Sequence, residues 1–128
     1  MRAEEILPDY ERALNRFQEA MQLEPPNDVH RAGCIQYFEF TFDLAWKSIQ
    51  SVGTHYGLES VKSPRAAFKT AFSQGWITNQ EPWLSMLESR NRMSHVYSAE
   101  EALGVYENLD QYIVPFKQLH EQLCKLMD

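Results

Sequence analysis

The sequence predicts an all-α fold, a bundle of four long helices with one short extra helix, and two observations carry that prediction. Apolar residues recur three or four apart through every long segment, with no convincing alternating strand. Prolines, glycines and capping residues then punctuate the chain where those stripes stop. The 128 residues suit a single domain over 1–128, and a hydrophobic content of 44% is enough to fill one core.

The first helix is expected over Glu4–Leu23, with Ile6, Tyr10, Ala13, Phe17 and Ala20 on one face. Pro25 and Pro26 should end it, because proline has no amide to donate and clashes with the preceding turn. The second helix can be capped by Asn27 or Asp28, whose side chains accept bonds from first-turn amides. Along it Ile35, Phe38, Phe42, Ala45, Ile49 and Val52 form a heptad seam. Tyr37, Phe40 and Leu44 add a second apolar edge, so this helix is expected at the centre of the bundle and also at a dimer contact. Gly53 and Gly57 mark its end.

A short third helix is expected from Ser63-Pro64, anchored by Phe68 and Phe72 and closed by Gly75. The fourth begins near Asn79, takes Pro82 in its first turn and carries Trp83, Met86, Leu87 and Arg90. A fifth starts at Ser98, with Glu101 completing a capping box. Ala102, Leu109, Phe116 and Leu123 repeat at sevens along it, joined by Val105, Tyr112, Leu119 and Leu126. Because that stripe stays in phase, Pro115 is expected to kink this helix and not to end it.

Composition narrows the function. A net charge of −6 and a pI near 5.2 argue against a protein that coats nucleic acid through a basic surface. Any RNA must be held by local charge. Cys34 and Cys124 have neither a CxxC spacing nor a disulfide framework, which reads as two reduced thiols in a cytoplasmic protein. The apolar runs are too short to cross a membrane, and the acidic N-terminal segment fits no signal or transit peptide. No glycine-rich phosphate loop is present, and none of His30, His55, His95 or His120 follows a glutamate at the di-iron spacing. His120-Glu-Gln-Leu-Cys124 departs from the zincin string by one residue and lacks a clear third ligand, so neither metal nor cofactor is expected.

The polar cluster at the end of the fourth helix, Glu88-Ser-Arg-Asn-Arg-Met-Ser-His-Val-Tyr97, interrupts the apolar stripe at Arg90 and Ser94. Such lapses in patterning collect at functional sites. Taken alone, the cluster also suits plain capping, since cations near a helix C-terminus favour the macrodipole and bond the last carbonyls. On a continuing helix Arg90 and His95 would point about 140° apart. They meet only if the helix loosens before His95 or if a second subunit completes the site. Glu39, Asp43 and Lys47 stand four apart, where Asp43 and Lys47 suit an intrahelical ion pair.

Three stretches stand out: Ile35-Gln-Tyr-Phe-Glu-Phe-Thr-Phe-Asp-Leu-Ala-Trp-Lys47, Ser63-Pro-Arg65, and Trp83-Leu-Ser-Met-Leu-Glu-Ser-Arg-Asn91 followed by Ser94-His-Val-Tyr97. Together they resemble the HEPN superfamily, in its nucleotidyltransferase substrate-binding branch. The resemblance implies an antiparallel up-down bundle, pairing as a homodimer, and a minimal nucleotidyltransferase as a separate partner chain. It further implies that an Arg-x4-His-x-Tyr motif serves metal-independent RNA cleavage in a toxin that the nucleotidyltransferase neutralises. Carried onto this chain, Arg90, Asn91 and His95 are the candidate catalytic residues, and Tyr97 matches a tyrosine that such antitoxins modify with AMP. The residue types fit that chemistry. RNA supplies its own 2′-hydroxyl nucleophile, an imidazole can take or give a proton near neutral pH, and a guanidinium can clamp the phosphate. Lys47 and Arg65 are candidates for added phosphate or nucleotide binding. The alternative is a non-catalytic subunit that presents a nucleotide or other substrate to the nucleotidyltransferase.

Overall fold

The structure, a computed structural model, describes residues 1–23, 26–59 and 61–128. Among the described residues every regular element is helical. Helix α1 spans Ala3–Gln22, α2 spans Asp28–His55 and α3 spans Pro64–Ser73. Helix α4 covers Glu81–Met93 and α5 Ala99–Tyr106; a 3-10 turn at Leu109–Tyr112 leads into α6, Ile113–Met127. No helix is long and apolar enough to cross a membrane among the described residues.

The caps follow local chemistry. Asn27 and not Asp28 caps α2, its side-chain oxygen accepting from the His30 amide at 2.8 Å. Ser63 and Ser98 do the same for α3 and α5, accepting from Ala66 and Glu101. At the far end of α2, Gly57 takes a left-handed φ of 74°. There Leu58 N–H bonds Gly53 O and Gly57 N–H bonds Thr54 O, the paired closure that satisfies two orphan carbonyls. Gly75, with φ 75°, closes α3 in the same way, Trp76 N–H bonding Ala71 O and Gly75 N–H bonding Phe72 O. Leu23 turns extended directly after α1; Pro25, expected to share in stopping that helix, lies outside the described residues.

Helix α2 is the hub, packing on α1, α3, α5 and α6. Its predicted seam is the core: Ile35, Phe38, Phe42, Ala45, Ile49 and Val52 are all buried. Around it Phe38 stacks on Tyr112 at 5.4 Å, and Phe42 meets Phe68, which meets Trp83 at 5.1 Å. Tyr10 Oη donates to Phe116 O at 2.6 Å, and His120 Nε2 lies 3.1 Å from Leu7 O, so α1 and α6 run in opposite directions. The second edge of α2 stays open, with Tyr37 and Leu44 half-buried and Phe40 exposed.

Two expectations are corrected. Phe72 is exposed and does not anchor α3; Ala67, Phe68 and Ala71 fill the buried face instead, three and four residues apart. The long fifth helix is not one kinked rod. Pro115 has no amide for the Gln111 carbonyl and its ring crowds that turn, so the chain tightens into the 3-10 turn and restarts as α6. The apolar phase survives the break, since Leu109, Phe116 and Leu123 are fully buried, while Ala102 is only half-buried and Val105 takes its place in the core.

Candidate functional site

The site is built at the C-terminal end of α4. Helix α4 is pinned by a hydroxyl cluster in which Tyr112 Oη lies 2.7 Å from Ser85 Oγ and 2.9 Å from the buried Ser89 Oγ. Regular winding stops at Met93. Ser94, His95 and Val96 amides then bond back three residues, to Asn91, Arg92 and Met93, the tightened exit common at helix ends. Ser94 Oγ also donates to Asn91 O at 2.8 Å. Regular α winding therefore ends before His95, and the imidazole leaves the register it would have had on a continuing helix.

An open cleft of about 650 Å³ lies there, between α3 and the end of α4. Arg65 faces it from α3; Leu84, Leu87, Glu88, Asn91, Arg92, Ser94 and His95 form the other wall. Three of the predicted residues, Arg65, Asn91 and His95, are thus brought together. Two arginines, an imidazole and the Glu88 carboxylate share this lining in a protein that is acidic overall.

Arg90 turns the other way. Its guanidinium is 3.1 Å from Asp43 on α2 and 5.6 Å from the centre of the Phe42 ring, with 34% of the side chain exposed. It does not line the cleft. The expected Asp43–Lys47 pair is replaced by this interhelical one, because Arg90 offers Asp43 a partner already fixed by packing on Phe42. Lys47 is exposed, its ammonium 5.9 Å from the Trp46 ring, and lies outside the cleft. Glu39, one turn before Asp43, has its carboxyl pushed up by burial, with Arg90 opposing and Asp43 reinforcing the shift. Tyr97 stands 85% exposed between the α4 exit and α5.

Sequence reading left Glu88, Arg92 and Leu84 without roles in this cleft. Their spacing carried a signal: Leu84, Glu88 and Asn91 fall on one helical face, with Leu87 beside them. Among the described residues, no group of three or more His, Cys, Asp or Glu side chains is placed to hold a metal ion. The Cys124 thiol lies 3.7 Å from His120 Nε2, and burial, Glu11 and Asp128 push it up.

Comparison with known proteins agrees with this architecture. A Haemophilus influenzae protein described as a probable ribonuclease HepT is 29% identical over 113 residues, 80% of this chain and 73% of that one. A solved structure from Thermus thermophilus superposes with a TM-score of 0.81 at 28% identity, covering 89% of this chain and 98% of the other. A second, from Haemophilus influenzae, is described as the fold of a substrate binding domain of a nucleotidyltransferase. It superposes with a TM-score of 0.78 at 24% identity, covering 91% of this chain and 98% of its own, and so speaks for the fold. The family model for nucleotidyltransferase substrate binding protein like chains matches residues 5–125, nearly the full length, and this chain belongs to that HEPN-like family.

Proposed function

We propose that this chain is the cytoplasmic partner of a minimal nucleotidyltransferase and a ribonuclease toxin that cleaves RNA without a metal ion. The observation that carries the reading is the exit of α4, which ends at Met93 and releases His95 into an open cleft beside Arg65 and Asn91. There the imidazole can take the proton of a ribose 2′-hydroxyl. The 2′-oxygen then attacks the adjacent phosphorus, the bond to the 5′-oxygen breaks, and the leaving oxygen gains a proton. Guanidinium groups stabilise the charge that builds on the phosphoryl oxygens. Asn91 adds a donor or orients the imidazole. The relative described as a probable ribonuclease supports RNA cleavage as the activity.

Within one chain Arg90 is held at Asp43 and away from the cleft. In an antiparallel four-helix bundle that pairs as a homodimer, the site is completed across the two-fold axis by Arg90 of one copy and His95 of the other. The open apolar edge of α2 at Tyr37, Phe40 and Leu44 suits such a contact. Control by the nucleotidyltransferase fits transfer of AMP to Tyr97, whose side chain is almost fully exposed.

The test is expression of the gene alone and with its nucleotidyltransferase. Wild-type protein should halt growth and cut RNA, whereas His95→Ala should do neither while keeping its helical circular dichroism. A wild-type protein that cuts no RNA and is harmless without its partner overturns the ribonuclease reading. The second reading, a non-catalytic subunit presenting a nucleotide to the partner enzyme, is favoured by the same displacement of Arg90. It requires nucleotide binding, measured by calorimetry, that weakens when Arg65 in the cleft is neutralised.

A further inference from the structure

We infer that the cleft at the end of α4 reads a base as well as a phosphate, and that Glu88 makes it prefer guanine. The inference rests on the reading that this cleft receives an RNA phosphate at His95, and it names the nucleotide beside that phosphate. A carboxylate in a phosphate-binding cleft repels the ligand unless it meets donors there. Glu88 occupies that position, on the same wall as Asn91 and His95.

Glu88 is also not neutralised by its neighbours. A glutamate four residues before an arginine is the favourable order for an intrahelical pair, and Arg92 stands at that spacing. Yet Glu88 enters no ion pair among the described residues. Arg92 has turned toward α5, where a methyl group placed on Gly104 would lie 3.4 Å from its Nη2 atom. Glu88 is exposed on the rim of the cleft, and its carboxylate has two acceptor oxygens to offer.

The remaining wall supplies what a base needs. Leu84, one turn before Glu88, is partly exposed at 37%, and Leu87 lies beside it. Together they offer an apolar floor for the face of a ring. Guanine presents two adjacent donors, N1–H and the exocyclic N2–H, which one carboxylate accepts together. Its O6 then falls to an amide donor, and Asn91 stands three residues along the same helical face. Adenine and cytosine offer a carboxylate only their single exocyclic amine, and uracil a single imino N–H. From Glu88 to the α4 exit at Met93 is about 7.5 Å along the helix axis, a span that one nucleotide can bridge. Leu84 and Glu88 also border a second open groove holding Asn79 and Gln111, so a single strand can continue past the ridge.

Calorimetric titration of the full-length protein with GMP, AMP, CMP and UMP tests this directly. GMP is expected to bind about tenfold more tightly than AMP, the scale of one bidentate contact. Glu88→Gln should lose that preference while binding AMP as well as or better than wild type, because a repulsive charge has gone. Equal binding of all four by wild type, a guanine preference that survives Glu88→Gln, or an equal loss for all four would each overturn the assignment. Mapping the ends of cleaved RNA separates the two readings. Preferential GMP binding without cleavage sinks the ribonuclease proposal and leaves this one standing; cleavage with no base preference does the reverse.

Discussion

Asp43 and Glu39 face the same guanidinium, and the two acids are not equivalent. Asp43 makes the direct contact with Arg90, while Glu39 is held by burial with its carboxyl raised from the ordinary value near 4.5. A raised folded-state value means that the stabilising contribution is fully present below the unfolded value and is lost as pH climbs through the folded one. At neutral pH the charge on Glu39 is therefore a cost. Glu39→Gln should raise the denaturant midpoint at pH 7, and the gain should shrink as the pH is lowered toward 4. Asp43→Asn should act oppositely at pH 7, with a loss under about 1 kcal/mol because both partners are about a third exposed. Identical pH profiles for Glu39→Gln and wild type would remove this account. The Arg90–Asp43 contact itself was hidden in the sequence. Asp43 had a nearer cation in Lys47, and nothing local says that a residue 47 positions away wins.

Among the elements, α4 positions the cleft, and its hold on the 3-10 turn is a three-hydroxyl contact. Tyr112→Phe keeps the stack on Phe38 but leaves the buried Ser89 hydroxyl without that partner. The expected cost is about 1–3 kcal/mol in denaturant unfolding, with hydrogen exchange speeding up first along α4. An unchanged midpoint would mean that water replaces the lost hydroxyl. Element starts were largely legible: Asn27, Ser63 and Ser98 cap the helices they precede, since capping needs only the side chain and the next few amides. The end of α4 was legible as a polar cluster but not as a geometry. Whether the chain stays helical through His95 depends on three backbone bonds that no spacing rule fixes. The break between α5 and α6 was missed because the apolar repeat runs through it unchanged. Periodicity reports which residues are buried, and a 3-10 turn can keep them so.

For the whole molecule, the proposed homodimer puts one complete site across two copies. Arg90→Ala and His95→Ala should each be inactive alone. Co-expressed as a mixed dimer, they should recover activity if Arg90 of one copy serves His95 of the other, because one of the two sites is then intact. Activity no higher than that of either single variant would place both groups on one copy, with Arg90 released from Asp43 on binding. The core that supports either arrangement is continuous from α1 through α2 to α6, and its residues were readable from their spacing. Ile35, Phe38, Phe42, Ala45, Ile49 and Val52 repeat as a heptad, and water excludes that face wherever the chain folds.

Local rules thus suffice for the starts of α2, α3 and α5, their caps and the buried face of α2. Propensity, capping and burial act over a turn or two, and those distances are written in the order of residues. The folded chain alone decides that Arg65 on α3 shares a cleft with His95, that Arg90 leaves it for Asp43, and that Arg92 swings to α5 and frees Glu88. Each of these choices is a competition among partners brought together by packing. Its outcome depends on distances between packed helices that separation along the chain does not encode.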